Sequence, residues 1–263
     1  MIRKGVFIIL GVYIFLLIGI YFFQEKIIFR SKILPKNHVY TFDKKFEEIN
    51  LSTTDNTVIN ALHFKVDNPK GVILYFHGNK GSLERWGKKI APLLNYGYDL
   101  FVIDYRGYGK STGKRVEEKM YSDAQLSYDY LLKIYKESQI VVYGRSLGGT
   151  FATYVASKNN PKHLLLEASF SSISDVAKSK FPIFPFETLF RFKFKSHEII
   201  EDVKVPTTIF HGNKDALVSL KIAKKLYNHS NKLTTEFIEI DKGTHHNLGE
   251  FKEYKQKLEI ILN

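Results

Sequence analysis

The hydrophobic pattern of this chain alternates between short, continuous apolar runs and longer amphipathic segments. The clearest run is Val72–Phe76, five apolar residues with a glycine before them and His-Gly after them. Such a run is typical of a strand that is buried on both faces of a parallel sheet. By the same criterion we predict strands at residues 100–103, 139–143, 163–167, 207–210 and 235–240.

Amphipathic segments separate these runs and are predicted to be helices. They cover residues 82–94, 117–136, 150–158, 219–227 and 248–262. Strict alternation of strand and helix predicts βαβ units with right-handed crossovers, and so an α/β fold whose mostly parallel central sheet has helices on both faces. Residues 48–66 alternate between polar and apolar, which predicts two antiparallel edge strands joined by a turn near residues 54–56.

The alternation stops between residues 168 and 200, where phenylalanine recurs in FPIFPF and RFKFK. This stretch is too aromatic for a solvated loop, and we interpret it as a short aromatic cap inserted into a single domain of residues 27–263. Its phenylalanines are expected either to line an acyl pocket, with RFKFK against anionic lipid headgroups, or to pack on the domain between solvated lysines.

Residues 5–23 contain no charged side chain, and this length approaches the ~20 residues that cross a bilayer as a helix. A secretory signal usually has an apolar region of ~7–15 residues and a small-residue cleavage site, whereas this run ends in Tyr21-Phe22-Phe23. We therefore predict a membrane anchor over residues 1–26. Four basic residues closely follow the span and two precede it, so the positive-inside rule leaves its orientation open.

The composition narrows the range of partners. A formal net charge of +12 suits nucleic acid or an anionic membrane surface, but the chain carries no recognised nucleic-acid motif, and the apolar amino terminus favours the membrane. The absence of cysteine excludes disulfides, thiolate metal sites and a cysteine nucleophile.

Glycines flank a serine in Gly144-Arg145-Ser146-Leu147-Gly148, between a predicted strand and a predicted helix. This strand–turn–helix setting is that of a nucleophile elbow, a sharp turn in which the glycines permit close backbone approach. Ser146 is therefore the predicted nucleophile. A serine hydroxyl needs a histidine to accept its proton and a carboxylate to orient that histidine.

The last predicted strand is followed by a loop with two histidines, His245 and His246, at the carboxyl edge of the sheet. His245 is the preferred base, and His246 is the alternative. Asp215 follows the strand at 207–210 and also lies at this edge, so it is the predicted acid. Asp241 is a second possible acid, but its closeness in sequence to His245 is more typical of a turn residue.

An oxyanion that forms at the attacked carbonyl needs two fixed hydrogen-bond donors. The backbone amide of Leu147, directly after the serine, is the first predicted donor, and that of Asn79, in the loop after Val72–Phe76, is the second. His77 and His211 are interpreted as buried strand-end residues without a catalytic role. Residues 104–109 are expected to shape a turn beside the site.

Five blocks of the chain together resemble the α/β-hydrolase-fold serine hydrolases: HGNKGS from His77, DYRGYGKSTG from Asp104, YGRSLGG from Tyr143, HGNKD from His211 and GTHHN from Gly243. More narrowly, they are similar to an amino-terminally anchored branch with HGNxG and GxSLGG signatures. The resemblance spans nearly the whole chain. It implies the α/β-hydrolase fold and Ser146, Asp215 and His245 as the triad. Relatives often have GxHND where this chain has His-His-Asn, so the choice between the two histidines stays open.

The resemblance implies a serine hydrolase that cleaves carboxylic esters, with lipid or acyl-thioester substrates included, and that needs no cofactor and no metal. Its expected partners are a small-molecule ester or acylated substrate and, through the amino-terminal helix, a membrane. Two alternatives are a serine peptidase or amidase on the same scaffold and a membrane-tethered interaction protein without activity.

Overall fold

A computed structural model describes residues 2–263 of the chain. Eight strands form one sheet in the order β8-β7-β6-β5-β3-β4-β2-β1. Neighbouring strands are parallel except where β2 pairs with β1 and with β4. The strands are β1 Phe46–Ser52, β2 Val58–Phe64, β3 Val72–Phe76, β4 Asp99–Ile103, β5 Ile140–Arg145, β6 His163–Glu167, β7 Thr207–Gly212 and β8 Thr235–Ile240.

Nine α-helices are described within residues 2–263. They are α1 Ile2–Ile28, α2 Leu83–Ile90, α3 Glu117–Leu132, α4 Leu147–Lys158, α5 Ile173–Lys180, α6 Phe186–Leu189, α7 Ser196–Ile199, α8 Leu220–His229 and α9 Lys252–Leu262. Successive residues of β3 alternate between two hydrophobic cores, as the pleat of a strand requires. Helices α3, α4 and α8 cover one core, and α2 and α9 cover the other.

The predicted α/β fold with a mostly parallel sheet and helices on both faces is confirmed. Most predicted strands agree with the structure within two residues, and the predicted edge pair corresponds to β1 and β2. The helix predicted over 82–94 instead ends at Ile90 and continues as a 3₁₀ segment, Ala91–Tyr96. Pro92 lies in that segment and cannot donate the backbone bond that a longer α-helix needs. Helix α4 begins at Leu147 rather than Thr150, because the elbow glycines already form its first turn.

The chain between the first helix and the sheet is more than a connector. Arg30–Ser31 pairs in parallel with Lys80–Gly81, and Ile33 forms a bridge with Gly109. These pairings attach the end of α1 to the loops that follow β3 and β4. The first helix is therefore joined directly to the carboxyl edge of the sheet.

Helix α1 is the one described helix that is long and apolar enough to cross a membrane, over Arg3–Ile28. No residue of its most apolar stretch is buried, which makes it a candidate transmembrane helix rather than a core helix. Three short helices, α5 to α7, lie between β6 and β7 and occupy the predicted cap segment.

Candidate active site

Ser146 occupies a sharp turn between β5 and α4. Its backbone has φ 51° and ψ −116°, a strained conformation for a residue with a side chain. Gly148 lets this turn pack against the end of β3, because a Cβ at that position would lie 1.9 Å from the Phe76 carbonyl oxygen. The Ser146 amide donates to the Glu167 carbonyl at 2.8 Å. The sequence-predicted elbow geometry is therefore present, with the serine half-buried.

His245 lies in the loop after β8, and its ring bridges the serine and the predicted acid. Its Nε2 is 3.1 Å from Ser146 Oγ, and its Nδ1 is 2.7 Å from Asp215 Oδ2. An ionised carboxylate can only accept a hydrogen bond, so Nδ1 carries the proton and Nε2 is free to accept one from the serine hydroxyl. The loop is held by Asn247, whose Oδ1 accepts from the amide and the hydroxyl of Thr244.

Asp215 is buried at the carboxyl edge of the sheet and has several donors. Its Oδ1 accepts the backbone amides of Leu217 and Val218 at 2.8 and 2.9 Å. Burial alone would raise the pKa of Asp215, but the hydrogen bond and charge of His245, together with the Val218 amide, hold that pKa below its usual range. The carboxylate is therefore ionised near neutral pH and can orient His245.

The two alternatives from the sequence do not join this arrangement. His246 has an exposed side chain whose ring lies edge-on to that of His245 at 5.2 Å. The small part of the ring that is covered, followed by the neighbouring His245 and Arg145 charges, lowers the pKa of His246. Asp241 is exposed, and its Oδ1 accepts from the Asn213 amide group. The structure thus brings Ser146, His245 and Asp215 together and leaves His246 and Asp241 at the periphery.

The two predicted oxyanion donors flank the serine. Leu147 begins α4, where helix amides have no partner within the helix and the dipole favours negative charge. Three hydrogen bonds of Asn79 fix its loop. The Asn79 carbonyl accepts from the Arg30 amide and from Tyr108 Oη, and Asn79 Nδ2 donates to the Ile28 carbonyl. Within residues 2–263, neither the Leu147 amide nor the Asn79 amide donates to a protein acceptor.

A cavity of about 200 Å³ opens onto the serine. Its walls combine aromatic, apolar and basic side chains, contributed by Arg30, Gly78, Asn79, Trp86, Leu217 and His246. A second cavity of about 530 Å³ lies alongside and shares Arg145 and His246 with the first. Its walls combine apolar side chains, such as Leu93 and Leu258, with charged ones, such as Lys89 and Glu259. Together they offer a concave site of the kind that binds small molecules.

Arg145 was not singled out in the sequence, yet it connects the elbow to the His245 loop. Its Nε donates to Glu167 Oε1 at 2.7 Å, and its Nη2 donates to the carbonyl of His245. Arg145 and Glu167 form a buried ion pair. Burial alone would lower the pKa of Arg145, but the adjacent Glu167 charge raises that pKa overall, so the guanidinium stays charged. The Tyr143 hydroxyl also donates to Glu167. A charged residue that ends a wholly apolar strand is the signal that points to such a pair, since a buried charge needs a partner.

Other polar residues near the site have structural partners. His77 is fully buried, with Nδ1 2.7 Å from the Gly78 carbonyl and Nε2 3.3 Å from Asp104 Oδ1. Asp104 also accepts the Leu83 amide, and burial raises its pKa. The His211 ring lies 2.9 Å from the Val218 carbonyl. In residues 2–263, no group of three or more His, Cys, Asp or Glu side chains is arranged to hold a metal ion.

The cap phenylalanines do not line the serine cavity. Phe192 and Phe194 are buried, and their rings pack against Phe29, while Phe194 also contacts Phe151 on α4. The expectation that the cap aromatics line an acyl pocket is therefore wrong for Phe192 and Phe194. These two side chains pack on the domain, which was the alternative. The reason is that the amino-terminal segment at Phe29 offers them an apolar surface, a contact that local sequence does not encode.

Comparison with known proteins agrees with this architecture. A family model described as the alpha/beta hydrolase fold matches residues 71–187. An esterase from Pyrococcus furiosus, Pf2001, superposes with a TM-score of 0.69 over 89% of this chain and 97% of its own, at 20% identity. The chain has the α/β-hydrolase fold.

Two curated relatives extend the comparison. Protein bem46 of Schizosaccharomyces pombe is 33% identical over 193 residues, which are 67% of this chain and 63% of that protein. The lysophosphatidylserine lipase ABHD12 of Danio rerio is 31% identical over 182 residues, 59% of this chain and 46% of the lipase. The chain thus spans less than two thirds of the length of either relative. In this chain the α/β-hydrolase domain follows a candidate transmembrane helix.

Proposed function

We propose that this protein is a membrane-anchored serine hydrolase that cleaves carboxylic esters through an acyl-enzyme. The observation that carries the proposal is the continuous chain of contacts from Ser146 Oγ to His245 Nε2 and from His245 Nδ1 to Asp215. A serine, a histidine and a carboxylate in this order can activate the hydroxyl at neutral pH.

In the acylation step, Ser146 Oγ attacks the ester carbonyl while His245 Nε2 takes the hydroxyl proton. Asp215 keeps the ring oriented and stabilises the positive charge that forms on it. The carbonyl oxygen gains a negative charge, which the amides of Leu147 and Asn79 stabilise by two hydrogen bonds in this proposal. When the intermediate collapses, the C–O bond to the leaving group breaks and His245 gives its proton to the departing alkoxide.

In the deacylation step, water attacks the acyl-serine while His245 accepts one of its protons. The same two amides stabilise the second oxyanion, and His245 then returns the proton to Ser146 as the carboxylic acid leaves. Every proton and bond is accounted for by these side chains and water, so the reaction requires no cofactor.

The substrate class is an ester, with lipid-derived and acylated molecules as the first candidates. Two relatives in the comparisons carry the names esterase and lysophosphatidylserine lipase, which supports ester or lipid chemistry. The attachment of the α1 end to the Asn79 loop supports the same class, because the serine cavity then lies next to the end of the proposed membrane anchor. In this proposal residues 1–26 are the anchor and residues 27–263 are the catalytic domain, with the 168–200 insertion as its cap.

The proposal is tested by turnover of matched ester, thioester and amide substrates of increasing acyl length. We expect Ser146→Ala to lose at least about 10³-fold in kcat for the preferred class, as is usual when a triad member is removed. Ser179→Ala, an exposed serine on α5, is the matched control and should retain wild-type turnover. Wild-type turnover in Ser146→Ala would contradict the proposal, and a preference for amides would favour the peptidase alternative.

The adjacent histidines provide a second matched pair for the same assay. His245→Ala should lose activity to a similar extent, because only His245 contacts both Ser146 and Asp215. His246→Ala should stay within a few-fold of wild type. The opposite ranking would transfer the role of base to His246.

A further inference from the structure

One face of α1 is covered by the cap. Tyr13, Leu17 and Ile20 are half-buried and Gln24 is buried, and their spacing of three and four residues puts them on one side of a helix. Val12, Phe15, Leu16 and Phe22 on the remaining surface are exposed. The contact between α1 and the cap therefore extends about three turns into the apolar part of the helix.

The far end of this contact is a loop of residues 181–185, Phe-Pro-Ile-Phe-Pro, which we name the cap tip. The Tyr13 ring stacks on Phe184 with centroids 5.5 Å apart and planes 4° from parallel, and Tyr13 Oη donates to the Ile183 carbonyl at 2.9 Å. The side chains of Phe181 and Ile183 are 59% and 69% exposed. The cap tip thus presents apolar side chains beside the middle of a candidate transmembrane helix.

Polar contacts mark where the apolar part of α1 ends. Gln24 Oε1 accepts the Arg191 amide, and Glu25 pairs with Arg191 at 3.0 Å and with Arg115 at 3.8 Å. Tyr13 lies ten residues before Phe23, the last residue of the apolar run, which corresponds to at most about 15 Å along a helix. The hydrocarbon core is ~30 Å thick. If α1 crosses a bilayer, the cap tip lies below the surface of that bilayer.

We propose that the cap tip inserts into the hydrocarbon of a lipid bilayer beside α1. A bilayer fits this surface better than a water-soluble partner, because the exposed apolar tip continues the exposed apolar face of the span. Lys178 lies shortly before the tip, Lys26 and Arg30 follow the span, and all three are exposed, as suits contact with anionic headgroups.

Insertion of the cap tip orients the serine cavity as well. Lys180 Nζ donates to the Ala216 carbonyl at 2.6 Å, which ties the base of the tip to the segment that carries Leu217. Leu217 is half-exposed and lines the cavity in front of Ser146. A membrane-embedded tip therefore holds the mouth of the cavity at the bilayer surface. The inference rests on the membrane placement of α1 and not on the hydrolase activity.

The absence of cysteine from this chain makes a depth measurement direct. In the full-length protein, Ile183→Cys, Phe181→Cys, Phe15→Cys and Leu233→Cys are each labelled with a nitroxide. The labelled proteins are reconstituted in phosphatidylcholine–phosphatidylglycerol nanodiscs, and collision with oxygen and with a water-soluble nickel chelate is measured by power saturation. Phe15 is the control within the span. Leu233 is 95% exposed and precedes β8 at the opposite edge of the sheet, so it is the control in water.

We expect the labels at 181 and 183 to match Phe15, with oxygen collisions favoured over nickel collisions, while Leu233 shows the reverse. Labels at both tip positions that match Leu233, with Phe15 in the bilayer, would overturn the proposal and leave the anchor intact. Low collision with both reagents at the tip would indicate cover by protein, such as a second copy, and would also overturn it. A label at position 15 that collides with the nickel chelate as freely as the Leu233 label does would overturn the anchor and the proposal together, whatever the ester turnover.

Discussion

At the level of single residues, the buried pair of Arg145 and Glu167 connects the strand that presents Ser146 to the loop that presents His245. The guanidinium donates to the Glu167 carboxylate and to the His245 carbonyl. Distances between the serine and the histidine depend on how well two separate loops are aligned, and a misplacement of about 1 Å is enough to reduce a rate 10²-fold. Arg145 is therefore a positioning residue and does not touch the reacting atoms.

Arg145→Met should destabilise the fold by about 3–5 kcal/mol, because it leaves the Glu167 charge buried and unpaired. Adding Glu167→Gln should restore much of that loss, since the amide still accepts from Tyr143 without a charge to compensate. Urea unfolding of the two single variants and the double variant measures both effects. A double variant no more stable than Arg145→Met would contradict the role of charge.

The double variant also separates positioning from stability. Once folding is restored, its kcat should stay below wild type by about tenfold or more, with KM little changed, because nothing then holds the His245 carbonyl. Wild-type kcat in the folded double variant would show that the contact serves stability alone.

At the level of elements, the elbow works because β5, α4 and the end of β3 approach more closely than side chains normally allow. Gly148 has no room for a Cβ, which would lie only 1.9 Å from the Phe76 carbonyl oxygen. The strand end that it touches leads directly into the loop with Asn79. A change at this glycine should therefore affect both the packing and the position of Asn79, the second predicted oxyanion donor.

Gly148→Ala should lower the free energy of unfolding by about 1–3 kcal/mol or more through overpacking. Gly249→Ala is the matched control, because its added Cβ would come no closer than 3.8 Å to Tyr254, and its effect should stay within about 0.5 kcal/mol. Chemical denaturation of both variants tests this comparison. Equal stability of the two variants would mean that the close approach at the elbow is not required.

The elements differ in how far their sequence reveals them. The apolar runs at Val72–Phe76 and at residues 139–143 are local patterns, and they predicted the buried strands β3 and β5 correctly. The pairing of Arg30–Ser31 with Lys80–Gly81 is only two residues long and joins segments about fifty positions apart, so no local periodicity marks it. The burial of Phe194 against Phe29 and Phe151 is likewise a property of the assembled fold.

At the level of the whole molecule, the predicted site residues illustrate the same limit. The order of Ser146, Asp215 and His245 could be predicted because each follows a recognisable strand and the carboxyl ends of parallel strands share one edge. The choice of His245 over His246 depends on ring orientation, and the contact of Arg145 with His245 spans a hundred positions in the chain. Both depend on three-dimensional packing that a single sequence does not display.

The pH dependence of folding is a whole-molecule property with an identifiable contributor far from the site. His63 in β2 is buried, and burial, with the nearby Lys65 ammonium, lowers its pKa from 6.5 to about 4. Between these values the unfolded chain binds the proton that the folded chain excludes, so stability falls as pH decreases. A pKa shift of this size corresponds to roughly 3 kcal/mol in the free energy of unfolding, and this contribution is fully lost below pH 4.

His63→Gln should reduce that loss, because the substitution removes the group that takes up a proton only in the unfolded chain. The measurement is the difference in unfolding free energy between pH 7 and pH 4, in detergent, for the full-length variant and the wild type. A smaller difference in the variant is expected. The same difference in both proteins would mean that His63 does not contribute to acid destabilisation.

The proposal that Ser146 is an activated nucleophile is tested most directly by fluorophosphonate labelling of the full-length protein, with the modified residue mapped by mass spectrometry. We expect one adduct per chain, on the peptide that contains Ser146, formed at least about 10³-fold more slowly in His245→Ala and absent in Ser146→Ala. No adduct on the folded wild-type protein, or undiminished labelling of Ser146→Ala, would contradict it.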